Sequence, residues 1–469
     1  MSVTTSSYSI TMRLHTPPDP QVIGLLATTV AEAGGIVTAM DMAESRHDRL
    51  VVDVTCSTGD AEHSNRVVDK VGALEGVTVH KVSDRTFLLH IGGKIEVTSR
   101  VPLKTRDDLS MAYTPGVGRV SRALAEHPED VRRLTVKGSS VAVVTDGSAV
   151  LGLGNIGPGA ALPVMEGKAA LFKQFADINA WPICLDTQDT DEIVRAVELI
   201  APGFGGINLE DIAAPRCFEV ERRLRESLDI PVFHDDQHGT AIVVLAALTN
   251  AMRVVGKRLD RIRVVVAGGG AAGSAIVTLL LAGGVSDVLV WDREGILSAD
   301  DDSLSPAKAE LAAKTNAERR RGDLHDAVTG ADVFIGVSAP NVLHKDWVAD
   351  MNDDAVVFAL ANPDPEIDPI DASEHAAVVA SGRSDFPNQI NNVLAFPGVF
   401  RGLLDARASD ITLDMLLRAA AAIAGCVKDD ELNPSFIIPS VFNSEVPKAV
   451  ARAIAEPGQS GQAGPSGQD

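Results

Sequence analysis

Two pairs of adjacent acids each close a short apolar run. Glu210-Asp211 follow Gly206-Ile207-Asn208-Leu209, and Asp235-Asp236 follow Pro231-Val232-Phe233 within Phe-His-Asp-Asp-Gln-His-Gly. Runs of this kind read as strands, and in a parallel sheet the carboxyl ends of strands converge on the ligand crevice. Four carboxylates gathered there repel one another unless a cation compensates, and oxygen-only ligands point to Mg²⁺ or Mn²⁺. The plain alternative is a set of solvated acids in an acidic chain. His234 and His238, spaced i, i+4, could instead join a transition-metal site of a metallohydrolase, but this stretch reads as strand end and turn rather than mid-helix.

Lys168 lies four residues after Val164 and three and four before Leu171 and Phe172, on the apolar stripe of a predicted helix that also includes Phe175. Lys173, Glu166 and Asp177 fall on the polar side. Burial and a nearby cation both lower an amine's pKa from its ordinary value of about 10.4 towards neutrality, the range of a general base. The alternative is a lysine that reaches the surface past its apolar neighbours.

The pattern G-x-G-x-x-G occurs twice, at Gly152-Gly154-Gly157 and at Gly268-Gly270-Gly273. The second copy follows the run Val264 to Val266, opens a helix-like stretch from Ser274 to Leu281, and precedes a strand, Val288 to Trp291, that ends at Asp292. This is the dinucleotide layout, with the pyrophosphate at the glycines and helix N-terminus and the ribose hydroxyls on Asp292. The first copy runs directly into Pro158-Gly159 and reads as a structural turn lining the site.

These groups need a scaffold, and 469 residues supply about three domains at roughly 150 each. Residues 1–88 read β-α-β-β-α-β, a ferredoxin-like sandwich. Residues 89–240 read as an α/β domain that carries both acid pairs and Lys168, and residues 241–455 as a Rossmann-type domain with C-terminal helices. Residues 456–469, rich in Gly, Ser, Gln and Pro, read as a disordered tail. Lys plus Arg number 42 against 64 Asp plus Glu, a formal charge of −22, so neither nucleic acid nor an anionic membrane surface is expected as a partner. No apolar run approaches the roughly 18 to 20 residues that span a bilayer. Four scattered cysteines without a CxxC pair, and no basic-then-apolar leader, suggest a cytoplasmic protein. There are only two tyrosines, Tyr8 and Tyr113.

Ala112-Tyr113-Thr114-Pro115-Gly116-Val117, Thr145-Asp146-Gly147 through Gly157, Pro163 to Lys168, Asn208 to Phe218, Phe233 to Thr240, Asn362-Pro363, and Asn391-Asn392 with Phe396-Pro397-Gly398 together resemble bacterial malic enzymes. The resemblance covers roughly residues 90 to 455. It implies oxidation of L-malate with NAD or NADP and decarboxylation to pyruvate. It assigns Glu210, Asp211 and Asp236 to the metal, Lys168 to the general base with Asp235 as its charge partner, and Tyr113 to the general acid at C3. Asn362 and Asn392 match residues that bind substrate carboxylate. Asp292 favours NAD, while the adjacent Arg293 leaves NADP as the alternative. Ala149 stands where larger relatives carry a substrate arginine. The first 88 residues resemble the ACT regulatory domain, with Gln21 in place of its usual loop glycine, and imply a homodimer or higher oligomer and a small-molecule effector. A malolactic enzyme or an oxaloacetate decarboxylase could use the same site, and an ACT-based ligand sensor on a non-catalytic scaffold is the alternative of another class.

Overall fold

The computed structural model describes residues 4–456, so the expected tail from residue 457 onward lies outside them. The chain divides into two compact units between Glu96 and Val97.

The first unit runs β1 (Thr5–Thr16), α1 (Gln21–Glu32), β2 (Ile36–Ser45), β3 (Leu50–Thr58), α2 (Ala61–Gly72), β4 (Thr78–Asp84) and a short α3 (Arg85–His90). Its antiparallel sheet has the order β2-β3-β1-β4. Alternate residues Ile10, Met12 and Leu14 of β1 and Val52, Val54 and Cys56 of β3 share a core with Leu26 and Val30 of α1 and Val67 and Val71 of α2. No apolar alternation marks β2 in the sequence. It is an edge strand that slips register against β3 twice and is mostly exposed, so its side chains keep no two-residue period.

The second unit begins with three helices that bury none of their residues, α4 (Arg106–Ala112), α5 (Gly116–Glu126) and α6 (Val131–Leu134). A parallel sheet follows, built from β5 (Ser140–Thr145), β6 (Asn179–Cys184), β7 (Gly206–Leu209) and β8 (Val232–His234) in the order β6-β5-β7-β8. Its helices are α7 (Pro158–Ala176), α8 (Thr190–Ile200) and α9 (Arg216–Ser227). A π-helical turn, Asp235–Gly239, leads into α10 (Thr240–Val255).

A second sheet is made of β9 (Arg263–Ala267), β10 (Asp287–Asp292), β11 (Gly295–Ile296), β12 (Val333–Gly336), β13 (Val356–Ala359) and β14 (Val378–Ser381). Its order, β11-β10-β9-β12-β13-β14, is parallel except for β11 and is that of a Rossmann fold, with α11 (Ala271–Ala282) and α12 (Pro306–Lys314) among its helices. The α/β expectation with parallel sheets therefore holds for this unit.

One correction concerns α10. Together with the preceding turn, Asp235–Val255 is a 21-residue helix of mean hydropathy 1.4, long and apolar enough to cross a bilayer, contrary to the sequence reading. It is a core helix instead, 67% buried, and its side chains join Val141 and Val143 of β5 to Val264 and Val266 of β9 in one hydrophobic core. The two sheets are thus welded through a shared apolar layer.

In that layer Phe172 of α7 packs edge-on against Phe396 and Phe400 of the helix Phe396–Ala406, with ring centroids 4.7 and 5.3 Å apart. Phe172→Ala leaves a fully buried cavity at this junction and should cost about 3–5 kcal/mol, read as a lowered denaturant midpoint at unchanged slope.

Candidate active site

Leu209 of β7 lies opposite His234 of β8, so Glu210-Asp211 and Asp235-Asp236 leave adjacent strand ends. Carboxylate oxygens of Glu210, Asp211 and Asp236 all lie within 4.8 Å of one another. Asp211 takes a φ of 54°, which Asp tolerates better than most residues, and its N–H donates to Asp236 Oδ2 at 3.0 Å.

Asp235 meets α7 instead. Lys168 is 7% exposed, with Nζ 2.5 Å from Asp235 Oδ2, 2.9 Å from Glu210 Oε1 and 4.3 Å from the ring centroid of Phe396. It does not reach the surface. The expected lowering of its pKa is also overturned. Burial pushes that way, but the attraction of Asp235 and Glu210 is larger, and the ammonium is held above its ordinary range.

The acids move in the other sense. Burial, with Asp236 and Glu210 nearby, pushes the Asp211 carboxyl up to about 8. Burial and Glu210 outweigh the pull of Lys168 and push Asp235 up to about 8 as well. Glu210 is raised, again chiefly by burial. One ammonium cannot balance four carboxylates, and Asn208 Oδ1, Asp211 Oδ2 and Asp235 Oδ1 are buried without a hydrogen-bond partner among the described residues. Orphaned acceptors around an all-oxygen cluster fit a hard divalent cation, with Glu210, Asp211 and Asp236 as the residues that would hold it.

Asn392 joins this cluster, its Nδ2 donating to Asp235 Oδ2 at 2.6 Å. Asn362 is exposed, and its side-chain amide has no hydrogen-bond partner among the described residues. The first glycine turn rests on it: at Gly152, with φ +71°, a Cβ would stand 2.4 Å from the Asn362 carbonyl oxygen. Tyr113 is not brought in. It ends α4, is 67% exposed and makes no hydrogen bond to Lys168, because no residue of α4 or α5 is packed down on the body of the unit.

Several groups escaped the sequence reading. Asn208, two residues before Glu210 on the same strand face, donates its Nδ2 to Glu210 Oε2 at 2.9 Å, and the two-residue period could have revealed it. Glu221 of α9 is buried, with its Oε1 2.7 Å from His238 Nε2 and its Oε2 accepting from Gln237 Nε2 at 3.4 Å. His234 is fully buried with neither ring nitrogen partnered, and burial pushes its pKa down to about 4. Neither histidine joins the group of metal-ligating atoms, so the metallohydrolase alternative has no geometry behind it. Beside Ala149, whose N–H donates to Asp211 O at 2.9 Å, Arg216 of α9 binds Asp146 at 2.8 Å and Ser148 Oγ at 3.0 Å. A guanidinium does stand near the place of the missing arginine, but it comes from another helix and is already paired with a buried acid.

In the second sheet a Cβ at Gly273 would collide with Gly268 O at 1.8 Å, so the turn closes only with glycine there, while Gly270 faces open space. Asp292 Oδ2 lies 2.9 Å from Lys308 Nζ. Burial opposes its charge, but Lys308 and the N–H of Arg293 hold its carboxyl below the ordinary range. A cavity of about 660 Å³ lies between α9, the π-helical turn, α11 and α12, and none of the metal carboxylates lines it.

The fold class is therefore that of an α/β protein with a dinucleotide-binding Rossmann sheet and a four-stranded parallel sheet, β6-β5-β7-β8, that carries an acidic cluster at its strand ends. Residues 92–225 match the family model "Malic enzyme, N-terminal domain" and residues 237–458 match "Malic enzyme, NAD binding domain". The chain is 54% identical over 451 residues to an NAD-dependent malic enzyme of Geobacillus stearothermophilus, covering 96% of this chain and 94% of that protein. It is 52% identical over 384 residues to a bifunctional malic/malolactic enzyme of Bacillus subtilis (strain 168), covering 81% and 92%. The crystal structure of an NAD-dependent malic enzyme from Thermotoga maritima matches 80% of this chain and 99% of that one, with a TM-score of 0.76 and 51% identity. The chain belongs to the malic enzyme family.

The raised carboxyls fix the sign of a pH effect. Asp211 and Asp235 keep their protons up to about pH 8 when folded but lose them near pH 4 when unfolded, so metal-free stability falls as pH rises between those values. The melting temperature of metal-free protein should drop from pH 5 to 8. Mn²⁺ should remove that drop and release protons on binding, measurable by calorimetry in two buffers of different ionisation enthalpy.

Proposed function

We propose that this chain catalyses the divalent-metal-dependent oxidative decarboxylation of L-malate to pyruvate and CO₂ with NAD. The observation that carries the reading is Lys168, buried and clamped between Asp235 and Glu210 at the edge of the three-carboxylate cluster. Mg²⁺ or Mn²⁺ bound there would supply Lewis acidity toward the malate C1 carboxylate and C2 hydroxyl, and the dinucleotide a hydride acceptor. Lys168 Nζ takes the C2 hydroxyl proton. Its high proton affinity in the metal-free chain comes from uncompensated acids, so neutralising them lowers it and makes the amine available as a base. Asp235 keeps Nζ aimed and is itself held by Asn392, while the exposed Asn362 offers its amide to a substrate carboxylate.

Tyr113 is the proposed donor to C3. Val97, Val101, Leu103, Leu109, Met111 and Val120 on its segment are also exposed, an apolar stretch that a second copy of the chain would cover, consistent with a homodimer or larger oligomer. Residues 1–88 are proposed as an ACT-like module for dimerisation or for binding a small effector, on the strength of their β-α-β-β-α-β order. Four cysteines free of disulfides support a cytoplasmic setting.

The test is reduced-dinucleotide absorbance with malate and Mn²⁺, run with NAD and NADP side by side; no signal with either would sink the reading. Lys168→Ala should lower kcat about 10²- to 10⁴-fold, and Tyr113→Phe should impair pyruvate formation while Tyr8→Phe does not. An equal effect of the two tyrosine changes would refute the Tyr113 assignment. Asp292→Ser should narrow the preference for NAD about tenfold by removing the charge that faces a 2′-phosphate. The bifunctional relative from Bacillus subtilis favours a second reading, malolactic conversion at the same site, which product analysis for lactate separates.

A further inference from the structure

His234 is used by none of the steps above, yet it is the last residue of β8 and stands two residues before the candidate ligand Asp236. It shares its strand face with Val232, in the apolar layer that Val220 and Leu224 of α9 also fill. Both ring nitrogens are dry and unpartnered among the described residues. An orphaned polar group of this size is costly to bury, and replacing it by an apolar side chain would relieve the cost unless it serves some other state. Asp236 Oδ2 lies 4.0 Å from Nδ1, beyond hydrogen-bond reach but within a small rotation of the carboxylate. That oxygen is held meanwhile by the Asp211 N–H.

We propose that His234 is a positioning residue for Asp236, its Nδ1–H donating to the carboxylate once Asp236 turns to hold the divalent cation. The inference rests on the metal reading above. Ligating carboxylates are themselves hydrogen-bonded, and such partners typically change metal affinity 10- to 100-fold. The geometry is specific: the strand fixes the ring, the π-helical turn carries the acid, and the nitrogen that must donate is buried away from water.

The experiment is Mn²⁺ titration calorimetry on the full chain without malate or dinucleotide, comparing the native sequence with His234→Leu and His234→Asn. Leu should weaken Mn²⁺ binding about 10- to 100-fold while the metal-free melting temperature stays the same or rises. Asn, which can place an amide N–H near the position of Nδ1, should restore most of the affinity. A Leu variant that binds Mn²⁺ as the native chain does would overturn the proposal while leaving the metal reading intact; a native chain that binds no Mn²⁺ would remove both. Should the Leu variant fail to fold, nitrogen-15 NMR of the histidine rings in the native chain decides. Addition of Mg²⁺ should move the His234 Nδ1–H signal to a hydrogen-bonded shift, and an unmoved signal overturns the proposal.

Discussion

A single buried ammonium facing four carboxylates is the constraint on which the rest of this structure depends. Lys168 touches Asp235 and Glu210, while Asp211 and Asp236 feel that ammonium only at longer range. Burial first, and the repulsion of neighbouring carboxylates second, favour the protonated forms of Asp211 and Asp235 while the cluster holds no further cation. Charges of this kind survive burial only when they are paired or bound to metal, so the same geometry that strains the empty cluster prepares it for a divalent ion.

The scaffold answers that constraint with apolar packing. The buried stripe of α7 is Ala161, Met165, Lys168, Ala169 and Phe172, so the lysine occupies a core position and is carried there by its neighbours. Phe172 locks α7 to the helix Phe396–Ala406, and Phe396 at the start of that helix also caps the ammonium. Because α10 fills the space between the two sheets, Phe233 of β8, just before the Asp235-Asp236 pair, and Val264 and Val266 of β9, just before the glycine turn, pack in one apolar core. The Glu221, His238 and Gln237 contacts add a polar brace behind the turn that carries Asp235 and Asp236.

Local chemistry explains which parts were legible. Alternation in β1 and β3, the apolar strands of both parallel sheets and the glycine fingerprint are short-range signals, and the elements they announce are present. Edge strand β2 was legible only through the β-α-β-β-α-β order, since it is mostly exposed and shows no apolar alternation of its own. The 21-residue apolar stretch of α10 was underrated for the opposite reason: a helix packed on all sides has no polar face to mark it. Tyr113 stays outside the cluster because α4 and α5 bury nothing against the chain's own body.

The sequence alone determined the chemical inventory: which acids end strands, which lysine lies on an apolar face, and where a dinucleotide turn falls. Those properties follow from residue type and spacing, and neither needs a partner distant in the chain. Only the tertiary structure decided the protonation of Lys168, since burial by itself predicts a fall and just the contacts from residues 42 and 67 positions away reverse it. It also decided that His234 is dry and unpartnered while His238 is bound to Glu221. Charge balance and desolvation are sums over neighbours, and the neighbours are chosen by the fold.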